Sequence, residues 1–228
     1  MGAAVKTSPV KKSFIIALDG PAASGKGTLA RLIAKEYDFA YLDTGSLYRG
    51  VAWTLLNAGR DPSDPAAAAA AAEAFSLDAI KDADIRTREV GAAASKVAAM
   101  PAVRRALLQF QRRFAEAPPA GKRGAVLDGR DIGTVVCPDA DLKFFVVASP
   151  EARARRRWLE LKAERPGLSE GEVFDDLAER DARDAGRADA PMTKAEDAQL
   201  LDTTDLTIEA AFAAARRVID GVFQRCED

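Results

Sequence analysis

Short apolar runs alternate with helical periodicity along this chain. Phe14, Ile15, Ile16, Ala17 and Leu18 form an unbroken apolar run inside Ser13–Asp19, which stops at Gly20. A run this short and continuous, ended by glycine, predicts a strand buried on both faces, as in a parallel sheet. Across Thr28–Tyr37 the apolar positions Leu29, Leu32 and Ile33 take helical spacing instead. Phe39–Asp43, Ala125–Asp128 and Leu142–Ala148 predict three further strands, and Gln199–Thr203 a weaker fifth. After it, Ile208, Ala211, Phe212, Ala215, Val218 and Ile219 share one helical face. Strands separated by helices predict a three-layer α/β fold with a five-stranded parallel sheet covered on both sides.

Two segments break this rhythm. The first spans about residues 51–121. It holds the alanine run Ala66–Ala72, a strong helix former, punctuated by Pro62, Pro65, Pro101, Pro118 and Pro119. The second spans about residues 151–197 and is rich in arginine and acid. No repeat at solenoid period is visible. One domain over residues 1–228 is expected, with a core of about 13–50, 122–150 and 198–228 and two helical insertions.

Composition narrows the chemistry. The chain has 228 residues, 48% of them hydrophobic, and a net charge of −2, so any basic site is local. It contains no histidine, which excludes Ser-His-Asp triads, Cys-His proteases and histidine-ligated zinc hydrolases. Cys137 and Cys226 have neither metal-ligand spacing nor a disulfide framework. Met1–Lys12 carries lysines without a following apolar run, unlike a signal peptide. No segment reads as a membrane span. The expectation is a cytoplasmic monomer that engages neither a membrane nor a nucleic-acid polymer.

The stretch Gly20, Pro21, Ala22, Ala23, Ser24, Gly25, Lys26, Gly27, Thr28 satisfies G-x-x-x-x-G-K between a predicted strand and a predicted helix. In that context the glycines let several N–H groups point inward as an anion nest, and the helix adds its N-terminal dipole. Lys26 supplies a compact charge to the β and γ phosphates of a nucleoside triphosphate. The strict pattern has Ser or Thr right after the lysine. Here Gly27 intervenes and Thr28 follows, so the hydroxyl usually facing Mg²⁺ is displaced by one residue.

Other residues suit phosphoryl transfer. Asp128 follows the aliphatic run Ala125, Val126, Leu127 and could order Mg²⁺ or its waters; a strand-end turn aspartate is the plain alternative. Arg180, Arg183, Asp184 and Arg187 sit at i, i+3, i+4 and i+7, one face if helical. Arg153, Arg156 and Arg157 repeat the spacing after the fourth strand, with Arg156 and Arg157 as candidates for ATP. A solvated face laced with ion pairs is the alternative for either group.

The Lys-Gly-Thr ending resembles the nucleoside monophosphate kinases. Four further blocks resemble bacterial cytidylate kinases: Leu42–Arg49, Ala94–Arg104, Asp128–Ala140 with its Gly129, Arg130, Asp131, and Glu179–Arg187. They occur in the family's order and cover about Phe14 to Thr204. The resemblance implies a P-loop kinase fold with an acceptor-binding insertion at about 51–121 and a short lid at about 151–197. It implies transfer of the γ-phosphate of ATP to CMP or dCMP with Mg²⁺. It places Ser95, Arg104 and Asp131 at the cytosine; Arg49, Arg130 and Arg187 at the acceptor phosphate; and Arg180 and Asp184 at the ribose hydroxyls. Thr44 holds a position where the family often has serine. Lys26, Arg130, Arg180 and Arg187 would stabilise the transferring charge. Three rivals remain open: a kinase of another small acceptor, a nucleotide switch transferring to water, and a non-catalytic nucleotide-binding module.

Overall fold

The computed structural model describes residues 13–76 and 84–227, with side chains to residue 223. The readings made for Met1–Lys12, for residues 77–83 of the first insertion and for the Cys226 side chain lie outside the described residues.

Five strands, β1 (Phe14–Asp19), β2 (Ala40–Asp43), β3 (Gly124–Gly129), β4 (Leu142–Val147) and β5 (Gln199–Asp202), form one parallel sheet in the order β2-β3-β1-β4-β5. Each lies within about a residue of its expected position. The weak signal of β5 has a physical cause: it is an edge strand, mostly exposed, so it lacks a second apolar face.

Among the described residues, eight α-helices accompany the sheet: α1 (Lys26–Glu36), α2 (Thr44–Asn57), α3 (Pro65–Glu73), α4 (Arg88–Val97), α5 (Pro101–Glu116), α6 (Pro150–Leu161), α7 (Glu170–Ala185) and α8 (Ile208–Glu227). Local chemistry starts several of them. The Asp64 carboxylate accepts from Ala66 N–H at 2.9 Å while Pro65 opens α3, so the alanine run begins at a proper cap. Ser169 and Glu172 form a reciprocal capping box at α7.

The two-residue period of β1 sorts the core. Ile15 and Ala17 face one layer, with Leu42, Leu127 and residues of α2 to α5 such as Val51, Ala68, Val97 and Leu107. Ile16 and Leu18 face the other, with Leu29 and Ile33 of α1 and Ala215 and Ile219 of α8. The helices of the first insertion thus share a core with the sheet, and α2 runs unbroken across position 51. The α6–α7 pair rests on a separate small cluster of Ala22, Ala154, Val173 and Leu177. Because every strand points the same way, the C-terminal ends of β1, β2, β3 and β4 open on one edge, where parallel sheets place ligands.

Candidate active site

A cleft of about 270 Å³ lies at that edge, between the loop after β1, helices α2 and α4, the end of β3 and helix α7. Among the described residues, nine cationic side chains and five carboxylates line it. A chain of net charge −2 has gathered a local positive excess here, as the site of an anionic ligand requires.

The loop after β1 makes one end. Ala23 (φ 59°) and Gly25 (φ 85°) take left-handed backbone conformations that curl the loop ahead of the first turn of α1. Lys26 is buried. Its Nζ donates to the Pro21 carbonyl at 3.2 Å and stands 3.6 Å from Asp128 Oδ1. Burial pushes the ammonium down to about 8, with the Arg130 charge adding to this and Asp128 opposing it. An incoming polyanion would reverse both unfavourable effects. Gly27 explains the departure from the strict motif: a Cβ there would stand 2.9 Å from Asp128 Oδ2, so the carboxylate occupies the space a Ser or Thr would need. Thr28, next along, is exposed on the cleft wall.

Arginines surround a buried carboxylate at the centre. Arg130 follows β3, and its Nε lies 2.9 Å from Asp184 Oδ2 of α7. Arg187, just past the end of α7, pairs with the other oxygen of Asp184. Burial opposes the charge on Asp184, but the Arg130, Arg187 and Arg180 guanidiniums together hold its carboxyl below the usual range. Arg180 makes no ion pair among the described residues. Its Nε is buried without a hydrogen-bond partner, and burial beside Arg130 pushes the guanidinium down to about 9. Such a group is short of negative charge. Arg49 of α2 reaches the same space and donates to the Ile85 carbonyl at 3.2 Å.

The far end is a smaller polar recess. Asp131 and Arg104, both buried, form an ion pair there. Arg104 also lies 3.4 Å from the Tyr48 hydroxyl, with its guanidinium 5.9 Å from the ring centre. Burial raises the Asp131 carboxyl despite Arg104. The Ser95 hydroxyl is buried without a partner. Thr44 donates to the Asp128 carbonyl at 2.8 Å.

Most residues singled out from the sequence thus meet in one cleft: Ala22 to Thr28, Thr44, Arg49, Ser95, Arg104, Asp128, Arg130, Asp131, Arg157, Arg180, Asp184 and Arg187. Several stand apart. Gly20 and Pro21 lie behind the wall, and a Cβ on Gly20 would meet the Val146 carbonyl at 2.0 Å. Arg156 turns to Thr203, donating to its hydroxyl at 3.1 Å and to its carbonyl, and is not part of the wall. Arg183 is exposed, away from this cleft, although it was grouped with Arg180 and Arg187 by spacing. The Arg153 guanidinium braces the loop from outside, at 2.7 Å from Asp181 and 3.2 Å from the Ala22 carbonyl. Helical spacing placed these arginines on one side of a helix, but that side is wider than the cleft it borders.

The cleft also contains Arg31, Arg86 and Asp43, which no motif marked for phosphate binding. Arg31 had only its place on α1 five residues after Lys26 to signal it. Asp43 and Asp128 are paired neighbours on β2 and β3 and both face the cleft. No cluster of three or more metal-ligating side chains occurs among the described residues. Two carboxylates and a hydroxyl suit Mg²⁺, which keeps most of its shell for water and substrate phosphate.

Comparison with known proteins gives a consistent result. The family model described as Cytidylate kinase matches residues 16–220. A cytidylate kinase from Paramagnetospirillum magneticum is 58% identical over 207 residues, covering 91% of this chain and 98% of that protein. One from Brucella suis is 56% identical over 207 residues, covering 91% and 93%. Among solved structures, an uncharacterized protein from Eubacterium ventriosum is similar in fold, with a TM-score of 0.53 at 15% identity, covering 91% of this chain and 99% of that one. No helix among the described residues is long and apolar enough to cross a membrane.

Proposed function

The chain belongs to the cytidylate kinase family, and from that premise we propose how its cleft carries out the reaction. The enzyme transfers the γ-phosphate of ATP to CMP or dCMP, giving ADP and CDP or dCDP. One observation carries the assignment of roles. A single arginine-rich cleft has the phosphate loop at one end and the buried recess of Asp131, Arg104 and Ser95 at the other.

ATP lies with its phosphates on the amides of Ala22 to Thr28 and on Lys26, with Arg157 at the cleft wall. Thr28 and Asp128, with Asp43 nearby, are the residues that would hold Mg²⁺, directly or through water. When bound, that ion neutralises charge on the β and γ phosphates. CMP enters the recess base first. Asp131 accepts from the cytosine 4-amino group, while a uracil would present a carbonyl there, lone pair against lone pair. Ser95 and Arg104 complete the base site, and Thr44 borders it. Arg49, Arg130 and Arg187 take the acceptor phosphate. Arg180 and Asp184 lie at the ribose, with Arg180 close enough to the centre to share in charge stabilisation.

No general base is required. A phosphate monoester has its second pKa near ~6 and is already a nucleophilic dianion at neutral pH. The barrier is electrostatic, since two anions must meet, and fixed cations lower it without reorganising during reaction. A chain without histidine is therefore sufficient. We also assign residues 51–121 as the acceptor-binding insertion and 151–197 as the lid. The small separate core under α6 and α7 supports the lid assignment, because a lid must move without disturbing the sheet.

The test is coupled ADP release with CMP, dCMP, UMP and AMP, for the native enzyme and Asp131→Asn. CMP and dCMP should be preferred. Asp131→Asn should narrow the CMP/UMP preference by about 1–3 kcal/mol, the worth of a good base contact. An unchanged ratio would exclude Asp131 as the base reader.

A further inference from the structure

Residues Ile132–Val136 form a single π-type helical turn directly after Asp131. Asp131 stands at the N-cap of that turn, where aspartate normally accepts from the first free amides. It makes no such bond. Its carboxylate goes to Arg104 instead. The amides are served from elsewhere. Ile132 N–H donates to Asp19 Oδ1 at 2.7 Å, and Gly133 N–H to Asp19 Oδ2 at 2.7 Å. Asp19 is the last residue of β1, buried, and immediately precedes the phosphate loop.

We infer that Asp19 caps this turn in place of Asp131, and is a positioning residue that frees the Asp131 carboxylate for the acceptor base. The inference rests on the reading of Asp131 as base reader. Two features support it. Asp19 occupies both of its oxygens on successive amides, leaving those N–H groups nothing to draw Asp131 back. Burial also works against charge here, raising the carboxyl to about 6 while the two amides pull the other way, so the site holds an ionised group at neutral pH against its surroundings. One carboxylate at the end of β1 thereby sets the aim of the acceptor reader.

The experiment uses the full chain carrying Asp19→Asn, which keeps one acceptor and turns an amide NH₂ towards the second N–H. The KM for CMP should rise, and the CMP/UMP ratio should fall, by about tenfold or more, the worth of one hydrogen bond to a charged group. The KM for ATP should change by less than about threefold, since the loop amides are not touched. The double variant with Asp131→Asn should show no further loss of the ratio, because Asp19 acts through Asp131. The amide NMR signals of Ile132 and Gly133 should move in Asp19→Asn. If that variant does not fold, Asp19→Glu, which keeps the charge but displaces the carboxylate, is measured in the same way.

Equal losses for CMP and ATP, or losses from Asp19→Asn and Asp131→Asn that multiply, would reduce Asp19 to a structural pin and overturn the inference. An unchanged CMP/UMP ratio in Asp131→Asn alone would overturn the base reading and with it the purpose of the cap. Unmoved Ile132 and Gly133 signals would overturn the cap itself.

Discussion

Asp184→Ala should be costly in the free enzyme, for reasons set by the arginines around it. Asp184 is 1% exposed, and each oxygen holds a guanidinium, Arg130 at 2.9 Å and Arg187 on the other side. Arg180 lies close enough to lower its carboxyl further. Removing the carboxylate leaves three largely buried cations without their shared counter-charge. Breaking a buried pair from one side costs roughly 3–5 kcal/mol, because the remaining charge stays desolvated. For a chain of 228 residues that corresponds to a fall in Tm of roughly 6–20 °C, at about 2–4 °C per kcal/mol. Urea unfolding followed by circular dichroism, without ligand, measures the loss directly. A second arm adds inorganic phosphate against chloride of equal ionic strength. Phosphate carries no ribose, and should restore part of the lost stability by supplying negative charge to Arg130 and Arg187. A loss below about 1 kcal/mol with an unchanged m value would refute the view that Asp184 neutralises the cluster.

Two further predictions follow from the loop and from β1. Gly27→Ser, which restores the strict phosphate-loop pattern, should lower stability by about 1–3 kcal/mol and reduce kcat/KM for ATP, since its Cβ would displace the Asp128 carboxylate 2.9 Å away; wild-type kcat/KM would show that this space is not limiting. Asp19 faces the carboxylates of Asp131 and Asp128, with Lys143 and Cys137 nearby, and burial raises its carboxyl from 3.8 to about 6. The folded chain therefore keeps this proton where the unfolded chain has lost it. The stability gained is full well below pH 3.8 and is lost as the pH rises through about 6, so the native enzyme should lose roughly 2 kcal/mol more than Asp19→Asn between pH 4 and 7. Parallel denaturation profiles would refute the shifted titration.

The sequence by itself determined the strands, the family and most of the cleft. The apolar runs of β1, β3 and β4 became central strands of the sheet, because a strand buried on both faces must be continuously apolar, while the exposed edge strand β5 left only a weak signal. The phosphate loop and the blocks from Leu42 to Arg187 were legible for a similar reason: their chemistry needs fixed residue types at fixed spacing. Tertiary structure alone decided which arginines face the cleft. Arg180 and Arg187 turn inward, Arg183 outward, Arg153 behind the loop and Arg156 to Thr203, although helical spacing gave all of them similar standing. It also decided why Gly27 follows Lys26 and why Asp131 is free of its own helical turn. Both answers come from strands far away in sequence, Asp128 on β3 and Asp19 on β1, brought beside the loop and the turn by sheet pairing. Spacing along a chain records which side of an element a residue occupies. What stands opposite that side is set by packing between distant segments, and no local pattern encodes it.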